Sequence, residues 1–324
     1  MYEEILRGIW RIQVPLPRSP LKVLNSYLIK GDSRHLLVDT GFNRPECREA
    51  LEQALQELAV DRSKTDFFIT HLHSDHSGLA GAFKTDTTKV FCSRADGQIM
   101  RVGNTRAYWE ELAARYISYG LRSTIDDAIR HHPGFRFHES EVVDYHYVEE
   151  GELFAIGDYQ LRCVLTPGHT PGHMCLYEAE KGILLAGDHI LGDITPVISP
   201  DIVNEDPLSL YLQSLDKVDR LNLRTVLVAH RKMLEDPHQR IAELKAHHAR
   251  RLDEAYRIVT QAPQDAYEIA SQMTWDIRAR DWENFPAAQK WFATGEAFAH
   301  LQHLRQLGKV ERRLENGIYR FYVV

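Results

Sequence analysis

Four side chains that can bind a metal ion lie within six residues of the sequence Thr70-His71-Leu72-His73-Ser74-Asp75-His76. Imidazole and carboxylate groups bind zinc-like ions once they are deprotonated. His71 and His73 are two residues apart, so their side chains point to the same side of an extended chain. One tetrahedral ion rarely takes four ligands this close together. The pattern therefore predicts two adjacent ions, one on His71 and His73 and the other on Asp75 and His76.

Three further candidate ligands each follow a short apolar run typical of a buried strand. They are His169 after residues 161–165, Asp188 after residues 183–186, and His230 after residues 226–229. Side chains at strand ends are held on rigid supports while loops close around them. We therefore predict a first ion on His71, His73 and His169, a second on Asp75, His76 and His230, and a bridging Asp188.

Together with Val38-Asp39-Thr40-Gly41, these motifs resemble the metallo-β-lactamase fold hydrolase superfamily, in the part that includes glyoxalase II, lactonases and other thioester or ester hydrolases. The signatures occur in the family's order across residues 5–235. The resemblance implies an α/β fold, a four-layer αβ/βα sandwich with the metal ions at one sheet edge. His230 departs from the family pattern, because Ala229 and Arg231 flank it where glycine is usual.

The chemistry implied by the resemblance is hydrolysis by a hydroxide that bridges two zinc ions, with iron or manganese as alternative metals. Metal binding lowers the pKa of a bound water to about 7. Asp75 is expected to orient this nucleophile, and His189 is the candidate general acid. Asp39 is expected to accept a hydrogen bond from a ligand imidazole. A thiolate leaving group needs little protonation, which favours small thioesters and activated esters, such as acyl-thioesters or lactones, over β-lactams.

Three other functions stay open at this point. Related winged-helix members are metal-dependent endoribonucleases, and a basic channel leading to the metals would favour that function. A mononuclear iron oxygenase acting on persulfides keeps the same histidine motif but needs only one iron. A binding protein could retain the site as structure. An apolar pocket under residues 94–146 would favour the thioester or ester hydrolase.

Composition limits the compartment and the partners. The net charge of −7 argues against broad attraction to nucleic acid or anionic membranes. No apolar stretch approaches the roughly 18–20 residues that span a bilayer, and residues 1–4 show no secretory pattern. The four cysteines form no Cys-x-x-Cys pair. We therefore expect a cytoplasmic protein that acts on a small molecule.

The chain is predicted to contain two domains. Residues 1–236 form the catalytic domain, in which residues 94–146 are a helical insertion near the active site. Trp109, Tyr116 and Tyr119 of this insertion are candidates for the wall of an acyl pocket. Residues 237–324 show three helical patterns and then a hairpin at Asn316-Gly317. This layout resembles the winged-helix extension of one branch of the family, and it could form a homodimer interface.

Overall fold

The computed structural model describes residues 1–200, 205–276 and 279–324. Its strands are β1 Tyr2–Leu6, β2 Ile9–Pro15, β3 Val23–Ile29, β4 His35–Val38, β5 Thr65–Phe68, β6 Val90–Ser93, β7 Tyr145–Val148, β8 Leu153–Ile156, β9 Tyr159–Leu165, β10 Met174–Glu178, β11 Ile183–Gly187, β12 Thr225–Val228, β13 Gln264–Asp265, β14 Val310–Glu315 and β15 Ile318–Val323. Its α-helices are α1 Pro45–Glu57, α2 Ser74–Ser77, α3 Ala80–Phe83, α4 Arg94–Val102, α5 Arg106–Ser118, α6 Ile125–His131, α7 Pro133–Arg136, α8 Pro207–Asp219, α9 Pro237–Val259, α10 Ala266–Ala270 and α11 Ala287–Gln306.

Two sheets of seven and five strands form the centre of the fold. The seven-stranded sheet runs in the order β1 to β7, and the five-stranded sheet in the order β12-β11-β10-β9-β8. Strands β4, β5, β6 and β7 are parallel neighbours, and β11 is parallel to β12. The residues that follow parallel neighbours emerge at the same sheet edge, so the polar segments after β4 and β5 lie side by side.

The two sheets pack face to face with helices on their outer faces. In β5, Phe68 points into the core between the sheets, whereas Phe67 packs with Leu51 and Leu55 of α1. This alternation follows the two-residue period of a strand. Tyr211 and Leu215 of α8 cover the outer face of the five-stranded sheet. The predicted αβ/βα sandwich is therefore confirmed.

The segment between β6 and β7 is mainly helical, as predicted, and contains α4 to α7. The predicted insertion is two residues too long, because Tyr145 and His146 already pair with β6 as the start of β7. Trp109, Tyr116 and Tyr119 are at most 7% exposed and pack with side chains of α11. These three aromatic side chains therefore belong to a core that the insertion shares with the C-terminal helices.

The C-terminal elements follow the predicted order of three helices and a hairpin. Strands β14 and β15 pair around Asn316 and Gly317, which both have positive φ, and β13 adds a short third strand. Helix α9 begins at Pro237 and contacts α8 and α11. The domain boundary and the homodimer stay predictions. No helix in the described parts of the chain is long and apolar enough to cross a membrane.

Candidate metal centre

The structure brings all seven predicted metal ligands together where the two sheets meet. His71 and His73 follow β5, and α2 carries Asp75 and His76. The other three ligands follow strands of the five-stranded sheet: His169 after β9, Asp188 after β11, and His230 after β12. Their donor atoms form three groups with separations within 4.8 Å: His71, His73 and His169; His71, His76 and Asp188; Asp75, His76 and His230.

Asp188 directs one carboxylate oxygen to each side of this cluster. Its Oδ2 lies 3.7 Å from Nε2 of His169. Its Oδ1 lies 3.6 Å from Nε2 of His76 and 3.4 Å from Nε2 of His230. This orientation is compatible with a carboxylate that is shared between two ions through its two oxygens.

Hydrogen bonds donated from Nδ1 fix the orientation of three candidate ligand rings, so that Nε2 of each ring faces the cluster. His76 donates from Nδ1 to Asp39 Oδ2 at 2.7 Å, as predicted for Asp39, and His230 donates to the carbonyl of Val23 at 2.8 Å. His169 donates to the carbonyl of Val197 at 2.7 Å. With Nδ1 committed as a donor, the Nε2 atom of each ring faces the cluster and can bind a cation once it carries no proton.

His71 is held in the same way through an intervening hydroxyl. Its Nδ1 lies 3.0 Å from Oγ1 of Thr70, and that hydroxyl donates to Asp39 Oδ2 at 2.8 Å. Asp39 also accepts from the Thr70 amide at 2.9 Å. One buried carboxylate thus orients His71 and His76 together, in the manner of groups that position metal ligands from behind.

The donor set fits divalent cations. His169 Nε2 and Asp188 Oδ1 are buried and have no hydrogen-bond partner among the described residues. Such atoms are rare in folded proteins and call for an ion or a water molecule. Five imidazole rings with two carboxylates suit zinc, iron or manganese. The predicted ligand His73 is only partly buried, so the cluster reaches solvent beside it.

The electrostatics of the cluster keep most ligands in the form that binds a cation. Burial opposes a charge on Asp75, but His76 and His230 lower its pKa to about 2. Burial lowers the pKa of His73 to about 3. Burial also disfavours the charged form of His76, yet Asp39, Asp188 and Asp75 raise its pKa well above the usual value. A cation bound there would therefore displace a proton from His76.

Asp96 is a structural part of the site that sequence analysis missed. This carboxylate is completely buried in α4. It accepts from the amide of Leu72 at 2.9 Å, the hydroxyl of Thr170 at 2.6 Å and the amide of Gly172 at 2.6 Å. Asp96 therefore ties the loop of His71 and His73 to the loop of His169.

His173 supports Asp188 from behind. Its Nδ1 bonds to the hydroxyl of Thr166 at 2.8 Å, and its Nε2 accepts from the Asp188 amide at 3.1 Å. Gly187 has a positive φ of 49°, and a Cβ there would lie 2.7 Å from His173 Nε2. A glycine is thus required for the close approach of the His173 ring.

His189, the candidate general acid, is completely buried. Its ring packs against Tyr211, with centroids 5.4 Å apart, and the Tyr211 hydroxyl donates to the His189 carbonyl at 2.9 Å. Burial lowers the pKa of His189 to about 3. His189 is thus packed against α8, and its role in proton transfer stays a prediction.

Sequence profiles match most of the chain. The profile of the "Metallo-beta-lactamase superfamily" matches residues 21–230, and that of the "Metallo-beta-lactamase-like, C-terminal domain" matches residues 252–324. The crystal structure of a metallo-beta-lactamase family protein from Thermus thermophilus is similar over its full length. It is 30% identical with a TM-score of 0.85, and the match covers 99% of this chain and 100% of that chain.

Two curated relatives show the range of similar proteins. A "Beta-lactamase-like protein 2 homolog" of Drosophila melanogaster is 28% identical over 305 residues, 94% of this chain and 89% of that protein. The "Atrochrysone carboxyl ACP thioesterase" of Aspergillus aculeatus is 24% identical over 231 residues, 71% of this chain. The second match spans 58% of the length of the fungal protein.

Proposed function

The chain belongs to the metallo-beta-lactamase superfamily, and we propose that it is a dinuclear, zinc-dependent hydrolase of a small thioester or ester. The observation that supports this proposal best is the position of Asp188 between two sets of ligands. On one side lie His71, His73 and His169, and on the other Asp75, His76 and His230. A mononuclear iron oxygenase would need only one of these sets.

The residues of the chain have distinct tasks in the proposed reaction. Two bound cations would supply a coordinated water of lowered pKa and Lewis-acid polarisation of the substrate carbonyl. Asp188 sets the spacing of the two ligand sets through its two oxygens. Asp75 is ionised and lies 3.5 Å from His230 Nε2, where it can accept a hydrogen bond from the nucleophile and orient it.

Thioesters fit the proposed site better than amides because of the leaving group that must depart. A thiolate departs with little protonation, whereas an amine must be protonated. The buried ring of His189 reaches no surface in the structure, so a reaction that requires no strong general acid fits this site better. The similarity to a fungal acyl-carrier thioesterase, at 24% identity, supports the same substrate class.

A metal-depletion experiment tests the proposal. The purified protein is analysed for bound metal and assayed with acyl-pantetheine thioesters, lactones and short RNAs, before and after chelation. We expect thioester or lactone hydrolysis that chelation abolishes and zinc restores. His73→Ala should remove the activity, whereas His131→Ala, which changes an exposed histidine of α6, should retain it. Metal-dependent cleavage of RNA alone would show that the protein is an endoribonuclease.

A further inference from the structure

Residues 190–200 lie in the connection between β11 and α8 and orient one of the candidate ligands. This segment forms no helix or strand. His169 donates from Nδ1 to the carbonyl of Val197 at 2.7 Å, and its buried Nε2 has no hydrogen-bond partner among the described residues. The direction in which the His169 ring presents Nε2 to the cluster therefore depends on where the segment places the Val197 carbonyl.

Apolar packing holds this segment but does not fix the direction of its carbonyl groups. Leu191 and Ile198 are buried in one cluster with Ile241 and Leu244 of α9. Such contacts are not directional. Within the described residues, no backbone group of residues 190–200 bonds to another backbone group. The orientation of the carbonyls is therefore left to polar side chains.

Arg240 of α9 supplies directional contacts to this segment. Its Nε donates to the carbonyl of Leu191 at 2.7 Å, and its Nη2 donates to the carbonyl of Ile194 at 2.9 Å. Its Nη1 donates to Glu243 at 3.1 Å. The Arg240 side chain is 17% exposed. A planar guanidinium group can serve all three acceptors because its N–H groups form a rigid fork.

Two backbone carbonyls on one guanidinium group set Arg240 apart. Among the described residues, every other arginine that donates to a backbone carbonyl reaches only one. The contact with Glu243 is ordinary, since the two residues are three apart on a helix and the Glu243 side chain is 49% exposed. Exposed ion pairs of this kind contribute little to stability. The carbonyl contacts, rather than the ion pair, therefore distinguish Arg240 from the other arginines.

The short connection from Ile194 to Val197 is stiff. Pro196 lies between them, and a proline fixes its own φ and restricts the residue before it. On another side the segment is packed closely, because a Cβ at Gly192 would lie 2.5 Å from the carbonyl oxygen of Lys232. A shift of the Ile194 carbonyl would therefore be passed on to Val197 rather than absorbed.

We propose that Arg240 is a positioning residue for the first of the two predicted ions, which His169 helps to bind. By holding residues 191–194, Arg240 fixes the Val197 carbonyl, which in turn fixes the His169 ring. The inference concerns cation binding and goes beyond the proposed reaction, whichever substrate the site takes. A side chain of the predicted C-terminal domain would thereby complete a site of the catalytic domain.

The second predicted ion should not depend on Arg240 in this way. Asp39 holds the His76 ring. The carbonyl of Val23 holds the His230 ring. Arg240 bonds to neither of these groups. Loss of the Arg240 contacts should therefore weaken one ion, whereas a general disturbance of the fold would weaken both.

Zinc titration by calorimetry of three variants tests this role. In Arg240→Gln, the affinity for one of the two zinc ions should fall about tenfold, the lower end of the range for groups that support ligands. Arg240→Lys should lose less, because one ammonium group reaches only one of the two carbonyls, and it also serves if Arg240→Gln fails to fold. Glu243→Gln is the matched control and should bind both ions as tightly as the wild type. An equal loss in Glu243→Gln would assign the effect to the ion pair and overturn the proposal.

A double-variant comparison identifies the ion that is affected. His169→Ala removes a ligand of the first ion and should leave the second ion bound. If Arg240 acts through His169, adding Arg240→Gln to His169→Ala should not weaken zinc binding further. A further loss of the same size would show that Arg240→Gln weakens the whole cluster, and the positioning role would be wrong.

Limited proteolysis of the metal-free protein provides a readout that requires neither metal nor substrate. A non-specific protease should cleave Arg240→Gln faster within residues 190–200, while cleavage elsewhere, and all cleavage of Glu243→Gln, stays as in the wild type. Mass spectrometry of the fragments assigns the cut sites. Unchanged or uniformly faster cleavage would overturn the proposal. Zinc binding without hydrolysis of any tested ester would instead refute the proposed function and leave the role of Arg240 intact.

Discussion

The Nε2 atoms of His76 and His230 lie 3.3 Å apart, although each ring commits its Nδ1 proton to a partner on its far side. Two imidazole nitrogens at this distance repel each other unless a proton or a metal ion lies between them. His76 is delivered by the seven-stranded sheet and His230 by the five-stranded sheet. The second ligand set is therefore assembled only when the two sheets pack together.

Replacing Asp96 by asparagine should weaken metal binding and activity without changing any proposed ligand. The amide cannot accept from Leu72, Thr170 and Gly172 at once, so the two ligand loops lose their common anchor. We expect a 10–100-fold loss in affinity for the first ion, the usual effect of removing a group that supports ligands. Zinc titration by calorimetry measures this loss. Asp144→Asn, at a side chain that is 90% exposed, is the matched control and should behave as wild type.

Gly187→Ala should reduce the affinity for zinc more than the same substitution at Gly151. The new methyl group would displace the His173 ring, which holds the Asp188 amide. Gly151→Ala is the matched control, because Gly151 also has a positive φ but no atom within 4 Å of its Cβ position. Both variants bear the strain of a positive φ, so the difference between them in zinc titrations reports the contacts of the new methyl group with His173 and with Thr70, whose Cβ and Oγ1 would lie 2.9 Å away. Equal effects would show that neither contact positions the candidate ligands.

Gly295→Ala should destabilise the protein, although alanine favours a helix interior by about 1 kcal/mol over glycine. A Cβ at this position of α11 would lie 2.5 Å from the Tyr116 hydroxyl and 3.0 Å from its ring. We expect a net loss of about 1–2 kcal/mol in the free energy of unfolding, measured in urea. Tyr116→Phe in the same chain should restore part of it. A more stable Gly295→Ala variant would mean that α11 does not pack on α5 as described.

The stability of the protein should fall as the pH is lowered from 7 towards 4. Burial lowers the pKa of His300 to about 3, so this ring stays neutral in the folded protein. In the unfolded chain an ordinary histidine has a pKa of about 6.5 and takes up a proton. The neutral, buried His300 ring therefore costs the folded protein no stability above pH 6.5. The free energy of unfolding then decreases as the pH falls from 6.5 towards the pKa of His300 in the folded protein.

In the wild-type protein, Nδ1 of His248 lies 3.1 Å from Nε2 of His300. The variant His300→Gln keeps an acceptor for the proton on this Nδ1. It should reduce the pH dependence of the free energy of unfolding by up to about 1.4 kcal/mol per pH unit below pH 6. Urea unfolding at several pH values measures the slope. His131→Gln, at an exposed ring, should leave the slope close to wild type. An unchanged slope in His300→Gln would show that His300 is not buried in neutral form.

The convergence of the seven candidate ligands could be predicted because the strands that deliver them have local apolar patterns. His169, Asp188 and His230 come directly after such runs, and parallel pairing brings the ends of neighbouring strands together. Asp96 was not predictable, because its partners Leu72 and Thr170 are 24 and 74 residues away and depend on how α4 packs. Sequence alone shows that a carboxylate is present, not that two loops close over it.

The aromatic residues of the insertion illustrate the same limit. Helical spacing predicted an apolar face on α5, but not which surface would cover it. In the structure Tyr116 stacks on Trp291 with centroids 4.0 Å apart, and Tyr119 stacks on Phe298 at 3.7 Å. Their partners are more than 170 residues away in the sequence, so the choice between pocket wall and core was made by tertiary packing.

The central claim is best tested by anomalous diffraction from crystals of the zinc-loaded protein, with data collected on both sides of the zinc absorption edge. Two zinc peaks should appear at full occupancy, one beside His71, His73 and His169 and the other beside Asp75, His76 and His230, with the carboxylate of Asp188 between them. A single peak with the second ligand set empty at saturating zinc, or zinc bound only at other residues, would contradict the dinuclear site.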